Sequence, residues 1–210
     1  MLKIIVIDDH PLVRRGIVDS IKDIPGFDIV GESGDAKDAQ ELLAKTATDI
    51  VILDISLPGV DGLELLKIIR STYPTIKVLI LTMHPEEMFA LRAFRNGASG
   101  YLAKAEAPRE LGRALVTLSQ GDKYISRSMS RELIEHLDSD LSKQRFELLS
   151  DRELQVLVQI AKGLNNKSIA EKLALSTKTV STYRTRVLAK MQMESDAQLT
   201  RYAVTNHLIE

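Results

Sequence analysis

Short apolar runs alternate with amphipathic stretches over the first part of the chain. Five of these runs are rich in β-branched residues and have the length of buried strands: KIIVI, FDIVGE, DIVIL, IKVLIL and GYLA. Stretches with helical spacing, such as LELLKIIRS and PRELGRALVTLS, lie between them. The alternation predicts five βα units, and hence an α/β doubly wound, five-stranded parallel sheet with helices on both faces.

The pattern changes after Gly121. The segment DKYISRSMSRELIEHL is typical of one more short helix, and the DSDLSKQRFE that follows it is polar and has no strand pattern. We therefore interpret residues 122–146 as a linker with a short helix. It separates a first domain, residues 1–121, from a second, residues 147–210.

The second domain is predicted to be small and all-α. Ser150 caps the first helix and Glu153 completes a capping box, and Gly163 ends it. Two helices joined by a tight turn, of which the second is longer and basic, indicate a DNA-binding helix-turn-helix. The four predicted helices are Asp151 to Lys162, Ser168 to Leu173, a third capped by Ser176 or Thr177 and ending near Met191, and a fourth from about Asp196 to Asn206.

Composition sets few limits, but local charge is informative. The 210 residues, 44% of them hydrophobic, can fill two modest cores, and the absence of cysteine excludes a disulfide framework. The apolar run at the amino terminus is too short for a secretion signal, which favours the cytoplasm. The net charge is only −1, yet residues 148–192 contain eight basic residues against three acidic ones. This local excess suits a phosphate backbone.

Polar side chains are predicted to meet at one edge of the sheet. Asp8 and Asp9 end the first strand, Asp54 the third and Thr82 the fourth, and Lys104 follows the fifth. In parallel sheets, ligands bind at the carboxyl ends of the strands. Carboxylates suit Mg²⁺ beside a phosphate, and a carboxylate is also a nucleophile toward phosphorus. The combination indicates an aspartyl-phosphate site, in which Lys104 and Thr82 hold the phosphoryl oxygens.

The third helix of the second domain has one apolar face. Val180, Tyr183, Val187 and Met191 follow helical spacing, so Tyr183 is interpreted as a core residue. The residues that point away from this face are Lys178, Ser181, Thr182, Thr185 and Arg186. Lys162 and Lys172 are interpreted as solvated helix residues.

The motifs VIDDHPLVRRGI, VILDISLPGVDGLELL, LTMH and GASGYLAK together resemble the flavodoxin-like receiver domain of bacterial two-component response regulators. The resemblance implies that Asp54 accepts a phosphoryl group from a histidine kinase. It also implies that Asp9, Asp54 and the backbone carbonyl of Ser56 bind Mg²⁺ directly, and that Asp8 binds it through water. Thr82 and Tyr101 resemble the switch pair that responds to phosphate, with Lys104 as the phosphate-sensing lysine.

Two further positions near this site resemble those that tune dephosphorylation in the family. They are Ser56 and His84, each two positions beyond a site residue. Our hypothesis is that they set the lifetime of the phosphate. His84 is otherwise expected at the rim of the site, without a catalytic or metal-binding role, because the chain has only four histidines and they do not cluster.

The segment LSDRELQVLVQIAKGLNNKSIAEKLALSTKTVSTYRTRVLAKM resembles the LuxR-type helix-turn-helix, so the whole chain resembles a NarL/FixJ-class response regulator. The resemblance implies double-stranded DNA as a partner, a homodimer formed on DNA through the fourth helix, and RNA polymerase as a further candidate partner. Small hydroxyl residues at the reading positions predict tolerant sites in which DNA shape matters. The implied phosphate contacts are Lys178, Thr179, Arg184, Arg186 and Lys190, and the implied base-edge contacts are Ser181, Thr182 and Thr185. Lys167 is a further implied DNA contact.

Two other functions fit part of the sequence. One is a phosphatase or mutase with an aspartyl-phosphate intermediate, but such enzymes carry a second acid where this chain has Ser56, and they have no use for a DNA-binding domain. We therefore expect no enzymatic activity beyond the chain's own phosphorylation and dephosphorylation. The other is a regulator whose DNA binding does not depend on phosphorylation and in which the receiver is a dimerisation scaffold. The convergent acidic site argues against it.

Overall fold

The computed structural model describes residues 1–84, 86–126, 145–206 and 208–209. Residue contacts divide the chain into two compact units, Met1–Glu135 and His136–Glu210. Each unit is described by itself. The short helix predicted in the linker lies among residues 127–144, outside the described residues. Within the described part of the chain, no helix combines the length and hydrophobicity needed to cross a bilayer.

The first unit contains the predicted five-stranded parallel sheet. Its strands pair in the order β2-β1-β3-β4-β5, and every pairing is parallel. The fold class predicted from the alternation of apolar runs is thus confirmed. The strands are β1 (Leu2–Ile7), β2 (Phe27–Ser33), β3 (Ile50–Leu53), β4 (Lys77–Thr82) and β5 (Gly100–Ala103).

Five helices cover the two faces of this sheet. On one face, α1 and α5 pack through Ile17 and Leu115 against strand residues such as Ile4 and Ile52. The alternate residues Ile5 and Ile7 are also fully buried, so the opposite face is covered as well. The helices are α1 (Pro11–Lys22), α2 (Ala36–Lys45), α3 (Gly62–Thr72), α4 (Glu86–Arg95) and α5 (Ala107–Ser119).

The strand order determines where the site lies. Because β1 and β3 are neighbours at the centre of the sheet, Ile7 pairs with Leu53, and Leu53 pairs in turn with Ile80. The residues that follow β1 and β3 therefore emerge side by side. This is the point at which the chain order of the strands reverses, where ligands bind in open α/β sheets.

The second unit is helical, as predicted. Its described residues contain a 3-10 helix (Arg145–Leu148) and four α-helices, α6 (Asp151–Ala161), α7 (Asn166–Lys172), α8 (Thr177–Met191) and α9 (Asp196–Thr205). The core contains Leu157 from α6, Ile169 from α7, Val187 from α8 and Leu199 from α9, all of them buried.

The helix ends follow the capping chemistry. The predicted capping box of Ser150 and Glu153 is present. The second helix begins two residues earlier than expected, because the side chain of Asn165 accepts the amide of Ser168 and so caps the helix before that residue. Ser176 caps α8 by accepting the amide of Thr179. Tyr183 was predicted to be a core residue of α8, and it is half-buried.

Candidate functional site

Asp54 stands immediately after β3, with its side chain only 2% exposed. Its backbone amide donates to the carbonyl of Ile7 at 2.9 Å, which continues the sheet pairing up to the carboxylate. One carboxylate oxygen, Oδ1, accepts the amide of Ser56 at 3.1 Å. The carboxylate is therefore held at the end of a rigid strand by local backbone geometry.

Lys104 is paired with two carboxylates at this sheet edge. Its Nζ lies 2.6 Å from Asp54 Oδ2 and 2.6 Å from Asp8 Oδ2, and its side chain is only 7% exposed. Burial by itself lowers the pKa of Lys104, but the two carboxylates outweigh this effect and raise the pKa above its ordinary value. The ammonium group therefore stays charged throughout the neutral pH range.

The acidic pair after β1 completes a group of ligand atoms suited to a cation. Asp8, Asp9, His10 and Asp54 each offer an atom, and these atoms all lie within 4.8 Å of one another. Asp9 Oδ1 is buried and accepts no hydrogen bond within the described residues, although His10 Nδ1 lies 2.6 Å away. Burial raises the pKa of Asp9, and the nearby carboxylates of Asp54 and Asp8 add to the rise. A bound divalent cation would relieve this repulsion, so the carboxylates fit Mg²⁺.

Two residues at this edge were not singled out in the sequence analysis. His10 lies against Asp9, and the guanidinium of Arg14 donates to the backbone carbonyl of Asp8 while its Nε lies 3.4 Å from Glu32. Together they support the end of β1. The signal available in the sequence was that both residues follow the acidic pair closely, at one and five positions after Asp9.

A hydrogen-bonded group lies beside β4 and β5. His84 Nε2 and Ser56 Oγ are 3.0 Å apart, and the His84 ring packs on Phe89 with the ring centroids 4.5 Å apart. The expectation that His84 lies at the rim was wrong, because the residue is only 7% exposed. Thr82 and Tyr101 are fully buried, and the Tyr101 hydroxyl donates to the backbone carbonyl of His84 at 3.0 Å. Tyr101 is thus connected to the site through His84.

Helix α8 presents a polar surface in the second unit. Five residues that were predicted to point away from its core are all exposed: Lys178, Ser181, Thr182, Thr185 and Arg186. Lys167 on α7 is also exposed, whereas Thr179 is half-buried and its hydroxyl lies 2.7 Å from that of Ser176. The exposed positions form a surface that carries positive charge and small hydroxyl side chains.

Two of the predicted DNA contacts have partners inside the domain. Arg184 is ion-paired with Asp196 and also donates to Asn166 at 3.0 Å. Lys190 lies 2.6 Å from Glu153, whose side chain is only 4% exposed. These pairs join α8 to α9, α7 and α6, so both cations have a structural role that the sequence analysis did not predict.

Comparison with known proteins agrees with this arrangement. The family model described as "Response regulator receiver domain" matches residues 4–116, and the model "Bacterial regulatory proteins, luxR family" matches residues 147–203. The response regulator UvrY of Escherichia coli (strain K12) is 35% identical over 209 residues, which cover 99% of this chain and 96% of UvrY. The chain is a two-component response regulator of the NarL/FixJ class. Its function is phosphorylation-dependent regulation of transcription.

Other relatives of this response regulator extend over the whole chain. The response regulator GacA of Pseudomonas aeruginosa is 35% identical over 211 residues, which cover 100% of this chain and 99% of GacA. The structure of RcsB from Salmonella enterica serovar Typhimurium, bound to promoter rprA in the presence of phosphomimetic BeF3-, has a TM-score of 0.66 and 29% identity. That alignment covers 98% of this chain and 100% of RcsB. The similarity therefore includes both domains of this response regulator.

Proposed function

We propose that Asp54 is the residue that accepts the phosphoryl group from a sensor histidine kinase, and that Asp8, Asp9, Ser56, Thr82, Tyr101 and Lys104 serve this transfer and its readout. The observation that carries the proposal is the position of Lys104 Nζ, 2.6 Å from the carboxylates of both Asp54 and Asp8. A carboxylate is suited to act as a nucleophile toward phosphorus when an ammonium group lies beside it. The phosphorylated product carries additional negative charge, which the ammonium group offsets.

The transfer moves one phosphoryl group between two side chains. An oxygen of the Asp54 carboxylate attacks phosphorus, the bond from phosphorus to the kinase histidine breaks, and its electron pair stays on the imidazole nitrogen. Lys104 then pairs with a phosphoryl oxygen as well as with Asp8. Asp9, Asp54 and the carbonyl of Ser56 would hold Mg²⁺, with Asp8 acting through water. When bound, the ion neutralises charge on the transferring group.

The same group of residues suits a two-state switch. The Thr82 hydroxyl turns to the phosphoryl group. This movement shifts the nearby backbone, and Tyr101 moves with it through its hydrogen bond to the carbonyl of His84. A tenfold gain in DNA affinity needs only about 1.4 kcal/mol of coupling. One charge-assisted hydrogen bond in a partly buried site is of this size.

We further propose that α8 lies in the major groove of double-stranded DNA. Lys178, Arg186 and Lys167 are exposed cations suited to phosphates, and Thr179 lies in the first turn of α8. Arg184 and Lys190 are proposed to contact phosphate while they keep their internal ion pairs with Asp196 and Glu153. Ser181, Thr182 and Thr185 lie at the base edges. We propose that two chains pair through α9 to form a homodimer, and that RNA polymerase is a further candidate partner. We also propose a cytoplasmic location, where bacterial DNA lies.

One experiment tests the acceptor residue. The purified full chain is incubated with acetyl phosphate and Mg²⁺, and intact-mass spectrometry measures incorporation. We expect one phosphoryl group on the wild-type protein and none on Asp54→Ala. Asp49→Ala, which removes an exposed carboxylate just before β3, is the matched control and should react as the wild type does. Incorporation into Asp54→Ala would move the acceptor to another residue.

A second experiment tests the link to DNA. Fragmented genomic DNA is bound at fixed salt with and without the phosphoryl donor, and the bound pool is sequenced. We expect phosphorylation to enrich specific fragments for the wild type but not for Asp54→Ala. Binding of the same fragments in every condition would favour the phosphate-independent regulator with the receiver as a dimerisation scaffold.

A further inference from the structure

The polar face of α8 contains two threonines whose hydroxyl hydrogens are already used. Thr182 Oγ1 donates to the backbone carbonyl of Lys178 at 3.0 Å, and Thr185 Oγ1 donates to that of Ser181 at 3.1 Å. Both bonds join a residue to the carbonyl four positions before it, within the helix. Both residues are nevertheless exposed. Their hydroxyls therefore offer a DNA base lone pairs only, with no free donor.

The same bonds determine where the methyl groups lie. A β-branched side chain in a helix has few χ1 rotamers, and the hydrogen bond to the helix backbone selects among them. With Oγ1 held against the carbonyl, the methyl group occupies another staggered position, away from that carbonyl. Thr182 and Thr185 are three positions apart and so are neighbours on one face. The outer surface of the helix at this point thus carries two adjacent methyl groups.

The surrounding charges place these methyl groups close to DNA. Lys178 and Arg186 are exposed and lie four positions before and after Thr182, in the same row of the helix. Cations at both ends of this row can bind the phosphates that border the major groove, and the two threonines between them then face base edges. In the major groove, thymine is distinguished from cytosine by its C5 methyl group, which threonine methyl groups contact.

We propose that Thr182 and Thr185 are specificity-determining residues that select thymine through its C5 methyl group. The inference rests on the proposed function, in which α8 binds the major groove. It also refines the expectation that small hydroxyl residues at the reading positions give tolerant sites. Discrimination comes from apolar contact at these two positions, while the hydroxyl oxygens are restricted to accepting.

The test replaces individual thymine methyl groups. A duplex is first selected from a random library by the phosphorylated full chain, and each thymine is then replaced singly by deoxyuridine. We expect at least one replacement to weaken wild-type binding about fourfold, the factor that corresponds to losing burial of one methyl-sized group. Thr182→Val or Thr185→Val, which keep the methyl group, should retain this sensitivity. Thr182→Ser or Thr185→Ser, which remove it, should lose it at the matching thymine.

Controls separate this inference from the proposed function. Thr72→Ser makes the same chemical change at an exposed position at the end of α3, in the first unit, and should keep the wild-type response to deoxyuridine. Specific binding that no single deoxyuridine weakens would overturn the inference and leave the proposed function intact. Sensitivity that persists in both serine variants would also overturn it. Failure to select any sequence from the library would contradict both proposals.

Discussion

At the scale of single residues, Lys104 balances part of the negative charge of the site. Two buried carboxylates close together repel each other, and the ammonium between Asp8 and Asp54 offsets that repulsion. His10 and Arg14 contact Asp9 and Asp8 at the same edge of the sheet. The fold therefore holds these groups close together, which lowers the cost of ordering them during transfer.

Ser56 and His84 act as one unit in our hypothesis on phosphate lifetime, since Ser56 Oγ lies 3.0 Å from His84 Nε2. We expect Ser56→Ala and His84→Ala each to speed the decay of phosphorylated protein about threefold, equivalent to roughly 0.6 kcal/mol, because each change opens the buried side of the site to water. The double variant should decay no faster than either single one. Decay of the isolated phosphoprotein is followed by intact-mass spectrometry.

The control for this pair is Ser71→Ala, which removes an exposed hydroxyl that donates to the helix backbone of α3. It should leave the decay rate unchanged. Additive effects in the double variant would show that the two residues act separately, and unchanged rates in both single variants would dispose of the hypothesis.

Lys178 is expected to contact phosphate without reading sequence. Lys178→Ala should weaken binding to all DNA sequences alike and reduce the slope of log K against log salt by about one unit. Fluorescence anisotropy with labelled duplexes at several salt concentrations measures both quantities. Lys172→Ala, which removes an exposed cation from α7, is the matched control with no expected effect on the slope. A loss confined to particular sequences would mean that Lys178 reads bases.

At the scale of elements, the β3–α3 connection holds Asp54 by close backbone packing. Gly62, the first residue of α3, donates its amide to the carbonyl of Ile55 at 3.0 Å. A Cβ at Gly62 would lie 2.3 Å from the carbonyl oxygen of Asp54 and 2.6 Å from Ile55 Cα. These neighbours are backbone atoms and cannot rotate away. The start of α3 therefore fixes the strand end from which the acceptor carboxylate projects.

Gly62→Ala should displace this connection. We expect a loss of about 1–3 kcal/mol in the free energy of unfolding, together with slower phosphorylation by acetyl phosphate. Urea unfolding and intact-mass spectrometry measure the two effects. In Gly16→Ala, the new Cβ meets no atom within 4 Å. Because alanine favours the helix more than glycine does, this change at an exposed position of α1 should raise the free energy of unfolding by up to about 1 kcal/mol. Equal stability of the two variants would contradict the packing argument.

The ion pair between Glu153 and Lys190 joins α6 to α8. Burial raises the pKa of Glu153, but hydrogen bonds from Lys190 and from the Ser150 amide lower it by more. The net pKa is therefore below its ordinary value of 4.5. Glu153→Gln keeps an acceptor for Ser150 but removes the charge. We expect it to cost about 1 kcal/mol at neutral pH, a modest value because Lys190 is partly exposed.

The pH dependence of this effect has a definite sign. A carboxylate with a lowered pKa in the folded state stabilises that state fully above about pH 4.5, and the stabilisation is lost as the pH falls through the lowered pKa. The stability difference between wild type and Glu153→Gln should therefore shrink as the pH falls below 4.5. Urea unfolding at a series of pH values measures it, and a difference that grows in acid would contradict the assignment.

At the scale of the whole molecule, two units with different chemistry share a nearly neutral chain. The acidic corner of the sheet lies in one unit and the basic face of α8 in the other, so the net charge of −1 conceals both. Ligands for one unit should stabilise that unit by mass action. This separation makes the metal site testable without measuring DNA binding.

Mg²⁺ should stabilise the first unit selectively. At a free Mg²⁺ concentration of about 100 times the dissociation constant, the ion should add about 2.7 kcal/mol to the free energy of unfolding of this unit. Hydrogen exchange followed by mass spectrometry should show this as greater protection in β1 and β3, with α6 and α8 unchanged. Asp9→Ala should abolish the effect, whereas Asp49→Ala should retain it. Equal protection of α8 would contradict a site confined to the sheet.

Much of the fold and of the site was predictable because it rests on local patterns. The five strands follow from short β-branched runs, and α6 begins where the capping box of Ser150 and Glu153 predicted. Asp8, Asp54 and Lys104 could be brought together because parallel strands end at one edge of a sheet. The start of α7 was predicted two residues too late, because the cap at Asn165 was overlooked.

Residue patterns along the chain specify the element types, their order and the edge at which the polar residues meet, since periodicity and chain direction are local properties. Which side chains pair depends instead on the packed fold. Lys104 and Asp54 are 50 positions apart, and Ser56 and His84 are 28 positions apart. The ion pairs of Arg184 and Lys190 likewise depend on how four helices pack. Such partners are selected by packing over long separations, about which residue spacing carries no information.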